Sequence, residues 1–265
     1  MVVAITGASS GIGEALACQL HARGAQLVLA ARRRERLQIL AERLPGSVVV
    51  EADVADPAAC ARIITAAVPR IDTMVCNAGY GLARSILDTT EAEWLAVLRT
   101  NLLGTTACIQ AAVPRMQGQP LRDGWRGQIV IVSSALARRG RPDGGAYAAT
   151  KAAQLSVAEA LRVELHATRI AVTSVHPIGT ATEFVQAVQG GTWVTGPREP
   201  LQTAAHVAAR IVAAIARPRA EVWPHRLSRW GLSLGTLWPE LLDGYFVRQV
   251  LRRRPPGGLS DPLAR

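Results

Sequence analysis

Lysine is almost absent from this 265-residue chain: Lys151 is the only one, and the other 29 of the 30 basic residues are arginine. Where either cation would serve, arginine has been used. The surviving lysine therefore marks a position that a planar, permanently charged guanidinium does not fill. Cysteine is scarce too. Cys18, Cys60, Cys76 and Cys108 have no Cys-x-x-Cys spacing and no neighbouring histidine cluster, which argues against a disulfide framework or a bound metal and for reduced, mostly buried thiols. No stretch approaches the ~18 consecutive apolar residues of a membrane span. The chain opens directly on Val2-Val3-Ala4-Ile5, with no charged leader before a cleavable apolar run. These absences predict a cytoplasmic protein.

The net charge of +10 and isoelectric point near 10.8 raise the question of a nucleic-acid partner. The arginines are scattered through helical segments, however, and the motifs that read DNA or RNA are missing. No nucleic-acid partner is expected. With 49% hydrophobic residues and a mean hydropathy of +0.17, the bulk of the chain folds. Its length allows one large domain with its own core.

Short apolar runs alternate with helical patterns. Strands are predicted at 2–5, 26–31, 47–51, 72–76, 128–132, 170–175 and 220–223, and helices near 11–23, 33–43, 57–68, 90–116, 146–167 and 203–216. Continuous apolar strands between helices imply a parallel sheet covered on both faces. Right-handed crossovers then give an α/β fold, a single doubly wound Rossmann domain with seven parallel strands. Thr90 with Glu93 forms a capping box, and Asp56-Pro57 supplies a cap and an N1 proline. The domain is assigned to residues 1–223, with 224–265 as an extension of it.

After the first strand, Thr6-Gly7-Ala8-Ser9-Ser10-Gly11-Ile12-Gly13 runs straight into a helix. Glycines let the backbone turn tightly and approach a pyrophosphate, while free N–H groups at the helix start face the anion. Gly7, Ser9, Ser10, Gly11, Ile12 and Gly13 are thus placed at a dinucleotide. The same residues spell Gly-x-Ser-x-Gly around Ser9, the nucleophile elbow of a hydrolase. That reading is rejected, because a hydrolase needs an earlier strand to carry its oxyanion loop. Also missing is the acid that commonly ends the second strand and holds the adenosine ribose diol. Ala30-Ala31-Arg32-Arg33-Arg34 stands there. Charge-assisted bonds from Arg32 and Arg33 to a 2′-phosphate, worth about 1.5–3 kcal/mol, would favour NADP(H) by roughly ten- to hundred-fold.

The fifth strand ends at Ser133-Ser134, and a glycine-rich loop leads to Tyr147-Ala148-Ala149-Thr150-Lys151. Tyr147 and Lys151 are four apart and project from one helix face. A free tyrosine titrates near pH ~10, so work near neutrality asks for about 4 kcal/mol. A cation at ~4 Å in an effective dielectric of ~20 supplies about that much. Lys151 is therefore expected to lower the Tyr147 pKa. Ser134, at the carboxyl end of a parallel strand, lies where such sheets bind ligands.

Taken in order, Thr6-Gly7-x-x-x-Gly11-x-Gly13, Asp53-Val54, Asn77-Ala78-Gly79, Asn101, Ser134, Tyr147-x-x-x-Lys151 and His176-Pro177 resemble the short-chain dehydrogenase/reductase family over nearly the whole chain to residue 223. The resemblance implies that Tyr147 passes a proton to or from a substrate oxygen while hydride moves between nicotinamide and carbon. Ser134, thirteen residues earlier, would hydrogen-bond that oxygen. Lys151 would also grip the nicotinamide ribose, and Asn101 would hold a water linking Lys151 to solvent. Asp53 would accept from the adenine amino group, with Val54 beside the ring, and Asn77, Ala78 and Gly79 would support the sheet and the adenosine ribose. One departure concerns Pro177-Ile178-Gly179-Thr180-Ala181-Thr182, where the family often has Pro-Gly. Pro177 and Thr182 are nevertheless placed at the nicotinamide end.

The stretch 183–200, with Gly190-Gly191 and Trp193, reads as a lid over an apolar, lipid-like small molecule. A loop with one anchoring Trp is the alternative. Residues 224–265 carry Trp230, Trp238, Tyr245, Phe246 and Arg252-Arg253-Arg254. They suit either peripheral membrane contact or a helix packed on the body with a frayed tail. The family commonly pairs its fourth and fifth helices across a two-fold axis; the Ala-rich segments 90–116 and 146–167 permit this, so a homodimer or homotetramer is expected. Two competing classes remain. A dinucleotide-sensing protein has no reason to keep Ser134, Tyr147 and Lys151 together, and a nucleotide-sugar epimerase usually has a different glycine spacing and a larger substrate domain.

Overall fold

The computed structural model describes residues 1–186, 188–190 and 202–253. Its first half runs β1 (Val2–Thr6), α1 (Gly11–His21), β2 (Gln26–Ala31), α2 (Arg34–Arg43), β3 (Val48–Glu51), α3 (Pro57–Thr65) and β4 (Thr73–Cys76). Then follow α4 (Glu91–Leu98), α5 (Gly104–Gln117), β5 (Gly127–Val132), α6 (Gly145–Glu164) and β6 (Ile170–Val175). The remainder comprises β7 (Thr180–Ala181), α7 (Glu183–Gln186), β8 (Gln202–Thr203), α8 (Ala204–Ala216), β9 (Glu221–Val222), α9 (Arg226–Leu237) and α10 (Pro239–Arg253).

Seven strands form one parallel sheet in the order β3-β2-β1-β4-β5-β6-β9. Because side chains alternate across a strand, β1 sends Val2 and Ala4 to one face and Val3 and Ile5 to the other. The first pair packs with Ile63 of α3, Ile109 of α5 and Ala158 of α6. The second pair packs with Leu16 of α1, Leu37 of α2 and Ile211 of α8. Covered on both sides, β1, β4, β5 and β6 are buried at every position, which is why they read as unbroken apolar runs. The strand order reverses between β1 and β4. The crevice at their carboxyl ends is where such sheets take ligands.

The capping box at Thr90 and Glu93 opens α4, and Asp56 caps α3 ahead of Pro57. The helix predicted over 90–116 is not continuous. A π-helical turn, Arg99–Leu103, separates α4 from α5. Asn101 in this turn is fully buried and tied by its side chain to two neighbouring segments, and a widened turn is how a helix accommodates such a side chain without losing its axis. The predicted 146–167 helix ends at Glu164 and passes into a 3₁₀ turn, His166–Thr168.

The end of the chain supplies two helices, α9 and α10, which meet where Leu242 packs against Gly235. Among the described residues no helix is long and apolar enough to cross a membrane. All four cysteines are free; Cys60, Cys76 and Cys108 are buried and Cys18 is half-buried. Of the predicted lid, α7 and residues 188–190 are described, whereas Gly191 and Trp193 lie outside the described residues, as does Arg254.

Candidate active site

The glycine loop owes its shape to what it cannot carry. A Cβ on Gly13 would lie 2.4 Å from the Gly7 carbonyl oxygen, so α1 closes on the loop only with glycine there. Ser10 occupies the N-cap of α1 without turning its hydroxyl back onto the helix, which leaves first-turn amides for an anion. The loop is bound to β4 by Asn77, whose Nδ2 donates to Thr6 O at 2.9 Å and Gly7 O at 3.3 Å. Thr6 Oγ1 in turn accepts from the amides of Asn77 (3.0 Å) and Ala78 (3.1 Å). Above the loop stands Thr182, 3.2 Å from the place a Cβ on Gly11 would take.

One strand further along the sheet, the end of β5 carries Ser133 and Ser134. Ser134 Oγ accepts from Leu136 N at 3.1 Å, capping the short turn Ala135–Ala137, and hydrogen-bonds the Tyr147 hydroxyl. Tyr147 and Lys151 lie on one face of α6, with Nζ 5.5 Å from the tyrosine ring centre. Nζ donates to Val132 O and to Gln154 Oε1, both at 3.0 Å. Ser133 has a different task from Ser134: its hydroxyl donates to the Lys151 carbonyl at 2.9 Å, pinning α6 to the end of β5. His176 donates through Nδ1 to Ser134 O at 3.1 Å and stacks on Trp223, with ring centres 4.5 Å apart. Pro177 O accepts from Ala135 N at 2.8 Å, closing the same corner.

Asn101 joins this group through its neighbours. Its Oδ1 accepts from Tyr80 N (3.0 Å), and its Nδ2 donates to Tyr80 O (3.0 Å) and Thr150 Oγ1 (3.1 Å). Gly79 must be small because a Cβ there would sit 3.0 Å from Asn101 Oδ1. The link from Asn101 to Lys151 runs through a side chain: Gln154 Nε2 donates to Asn101 O at 2.5 Å and to Thr105 Oγ1 at 2.9 Å, while its Oε1 accepts from Nζ.

The electrostatics differ from the sequence expectation. Burial pushes the Tyr147 hydroxyl well above its ordinary range, and the Ser134 hydrogen bond offsets only part of this. Burial likewise lowers Lys151 to about 7. Desolvation is the largest cause of both shifts, so Lys151 does not by itself bring Tyr147 towards neutrality in the protein alone.

The cofactor-end residues divide into two groups. Arg33 reaches the loop, donating to Ser9 Oγ (3.0 Å) and Ser10 Oγ (2.7 Å). Arg32, its chain neighbour, points elsewhere and lines an open groove with Val50, Ala52 and Asp53. Asp53 Oδ1 accepts from Ala55 N at 3.0 Å, shaping the turn after β3. Val54 is buried against Gly104, at whose position a Cβ would fall 2.7 Å from its methyl.

Sequence reasoning missed Gln154, Arg36 and Glu183. Gln154 lies three residues beyond Lys151, and Arg36 three beyond Arg33, so each shares a helix face with a residue already singled out. Glu183 carries no local signal; it meets Arg36 across 147 residues of chain.

A family model described as short chain dehydrogenase matches residues 1–192. The 11-beta-hydroxysteroid dehydrogenase-like 4A of Arabidopsis thaliana is 34% identical over 255 residues, covering 91% of this chain and 82% of the relative. A short-chain dehydrogenase from Sphingobium yanoikuyae in complex with NADPH superimposes with a TM-score of 0.75 at 29% identity, covering 99% of each chain. A short chain dehydrogenase/reductase from Burkholderia phymatum in complex with NAD gives a TM-score of 0.79 at 23% identity, covering 100% of this chain and 98% of the other, and shows the shared fold.

The buried ammonium has a signature in stability. Its folded-state pKa, about 7, lies below the ordinary 10.5. Between those values the unfolded chain binds more protons than the folded one, so this group's penalty is full below pH 7 and fades as pH rises towards 10.5. Lys151→Met is therefore expected to gain most over the wild type below pH 7, and the difference should change by a few kcal/mol as pH rises through that window. Denaturant unfolding of both proteins across pH 6–10 checks this. A pH-independent difference would show that Lys151 is not buried as a titrating cation.

Proposed function

Since the chain belongs to the short-chain dehydrogenase/reductase family, an oxidoreductase family, we propose that it is an NADP-dependent enzyme interconverting a carbonyl and an alcohol, with Tyr147 as acid/base. The observation that carries this reading is the convergence of Ser134, Tyr147 and Lys151 in one buried cluster at the carboxyl end of β5, one strand from the reversal of the sheet. The residues suit a dinucleotide. A loop where a Cβ would strike backbone leaves the close approach a pyrophosphate needs, and Arg33 already binds an internal carboxylate.

When bound, the dinucleotide supplies or accepts the hydride at its nicotinamide. Tyr147 holds the proton for the substrate oxygen. Its raised pKa keeps the hydroxyl protonated, the form needed in the reductive direction. Ser134 bonds the same oxygen and fixes it in line. Lys151, held by Val132 O and by Gln154, which Asn101 O holds in turn, keeps its ammonium beside the Tyr147 ring. Positive charge beside the tyrosine favours its ionised form, which serves the oxidative direction.

An apolar, lipid-like substrate is supported by Phe184, whose ring centre lies 5.7 Å from that of Tyr147, and by the buried cluster of Leu82, Val97 and Ala146. A relative named for a hydroxysteroid agrees. Free thiols suit the reducing cytoplasm. We further propose peripheral contact with an anionic lipid surface through α9, where Leu227, Trp230, Leu234 and Leu237 form one exposed stripe beside Arg226 and Arg229. Pairing of two copies through the segments 90–116 and 146–167, on which Leu103 and Val163 are exposed, would make the enzyme a homodimer or homotetramer.

Four measurements test these assignments. Tyr147→Phe should reduce NADPH-linked turnover of apolar ketones by more than about 10³-fold while NADPH still binds; retained turnover would remove Tyr147 from the chemistry. In the same titrations the wild type should bind NADPH about ten- to hundred-fold more tightly than NADH, and the reverse order would overturn the cofactor assignment. Co-sedimentation with phosphatidylglycerol vesicles should weaken with salt and with Trp230→Ser, and no binding at low salt would refute the lipid contact. Light scattering that reports a monomer would refute the oligomer.

A further inference from the structure

Where the glycine loop meets α2, an acid of this chain holds Arg33, one of the two arginines assigned to the cofactor, together with Arg36. Glu183, the first residue of α7, accepts from Arg33 Nη1 at 3.1 Å, and its two oxygens lie 2.8 and 2.6 Å from Arg36 Nη1. Arg33 is fixed on its other side by Ser9 Oγ and Ser10 Oγ. Three separate segments, the glycine loop, the start of α2 and α7, therefore meet at Arg33. Thr182, the preceding residue, sits against Gly11, so Glu183 is anchored just beyond the phosphate-binding turn.

We propose that Arg33 and Arg36, with Ser9 and Ser10, form a phosphomonoester seat whose resident anion is Glu183, and that Glu183 thereby sets the discrimination between 2′-phosphorylated and unphosphorylated dinucleotides. This rests on the NADP reading above and adds two residues to it, Arg36 and Glu183. The charges favour exchange. Two guanidiniums face a single carboxylate, whereas a phosphomonoester carries about −1.5 to −2 near neutral pH and presents three acceptor oxygens. The seat is open enough for exchange, since the side chains of Arg33, Arg36 and Glu183 are 45%, 46% and 47% exposed. A 2′-hydroxyl carries no charge and does not compete with Glu183. A 2′-phosphate must displace it. Glu183 consequently lowers affinity for NADPH and leaves NADH untouched, which narrows the preference that the arginines alone would give.

The test is fluorescence titration of NADPH and NADH, with adenosine 2′,5′-bisphosphate as a competing probe of the phosphate seat. Glu183→Gln keeps the size and removes the charge. It should tighten NADPH and the bisphosphate by about three- to tenfold and leave NADH within about twofold. Arg36→Met should weaken NADPH and shrink the gain that Glu183→Gln gives in the same background. Equal tightening of both dinucleotides, or of neither, in a variant that unfolds at the wild-type temperature overturns the exchange. The NADP reading is judged separately, by which dinucleotide the wild type prefers, so either claim can fail while the other stands.

Discussion

Lys151 Nζ sits in the interior with two acceptors, Val132 O and Gln154 Oε1, and several surrounding features follow from keeping it there. A buried cation is tolerated only when its donors are satisfied. Val132 O is available because the chain leaves β5 at this point. Gln154 is available because its own amide is held by Asn101 O and Thr105 Oγ1. Asn101 O can reach Gln154 because the backbone there is a π-helical turn rather than an α-helix. An arginine at 151 would bring a wider group with five donors that this pocket does not match. The lone lysine of the sequence thus has a stereochemical reason.

The same chain of contacts ties fold to chemistry. Ser133 holds the backbone of Lys151, Ser134 holds Tyr147, and both serines close one strand. Neighbouring residues at a strand end point to opposite sides, so one serine can brace α6 while the other meets the Tyr147 hydroxyl. His176 and Trp223 support the Ser134 carbonyl from behind. The Ser134 and Tyr147 hydroxyls are therefore held from the sheet itself.

Much of this was legible in the residues. Strand runs and glycine punctuation carry the sheet because burial on both faces forces continuous apolar segments, and the Thr90–Glu93 box is purely local. The π-turn at Arg99–Leu103 was not legible: it depends on Tyr80 and Thr150, which the chain brings to Asn101 only after folding. Lys151 and Tyr147 were identified by spacing, yet the sense of their coupling was not, because spacing reports proximity and says nothing of desolvation. Burial decides the balance, and burial is a property of the packed whole. Glu183 is the extreme case, since nothing near it in sequence marks it as a partner of α2.

The two ends of the site are built on opposite electrostatic principles. At the reacting end, single hydroxyls, amides and one ammonium are buried, with almost every polar atom assigned to a named partner. Interactions in such surroundings are strong and scarcely screened by salt. At the glycine loop, Arg33, Arg36 and Glu183 are half exposed, and ion pairs so exposed are weak and salt-sensitive. A change to the exposed cluster leaves the contacts of Tyr147 intact. A change to the buried cluster disturbs the packing of β5 and α6 together. On the function proposed above, cofactor choice is thus the property this architecture leaves easiest to alter, and the Ser134–Tyr147–Lys151 geometry the one it holds most rigidly.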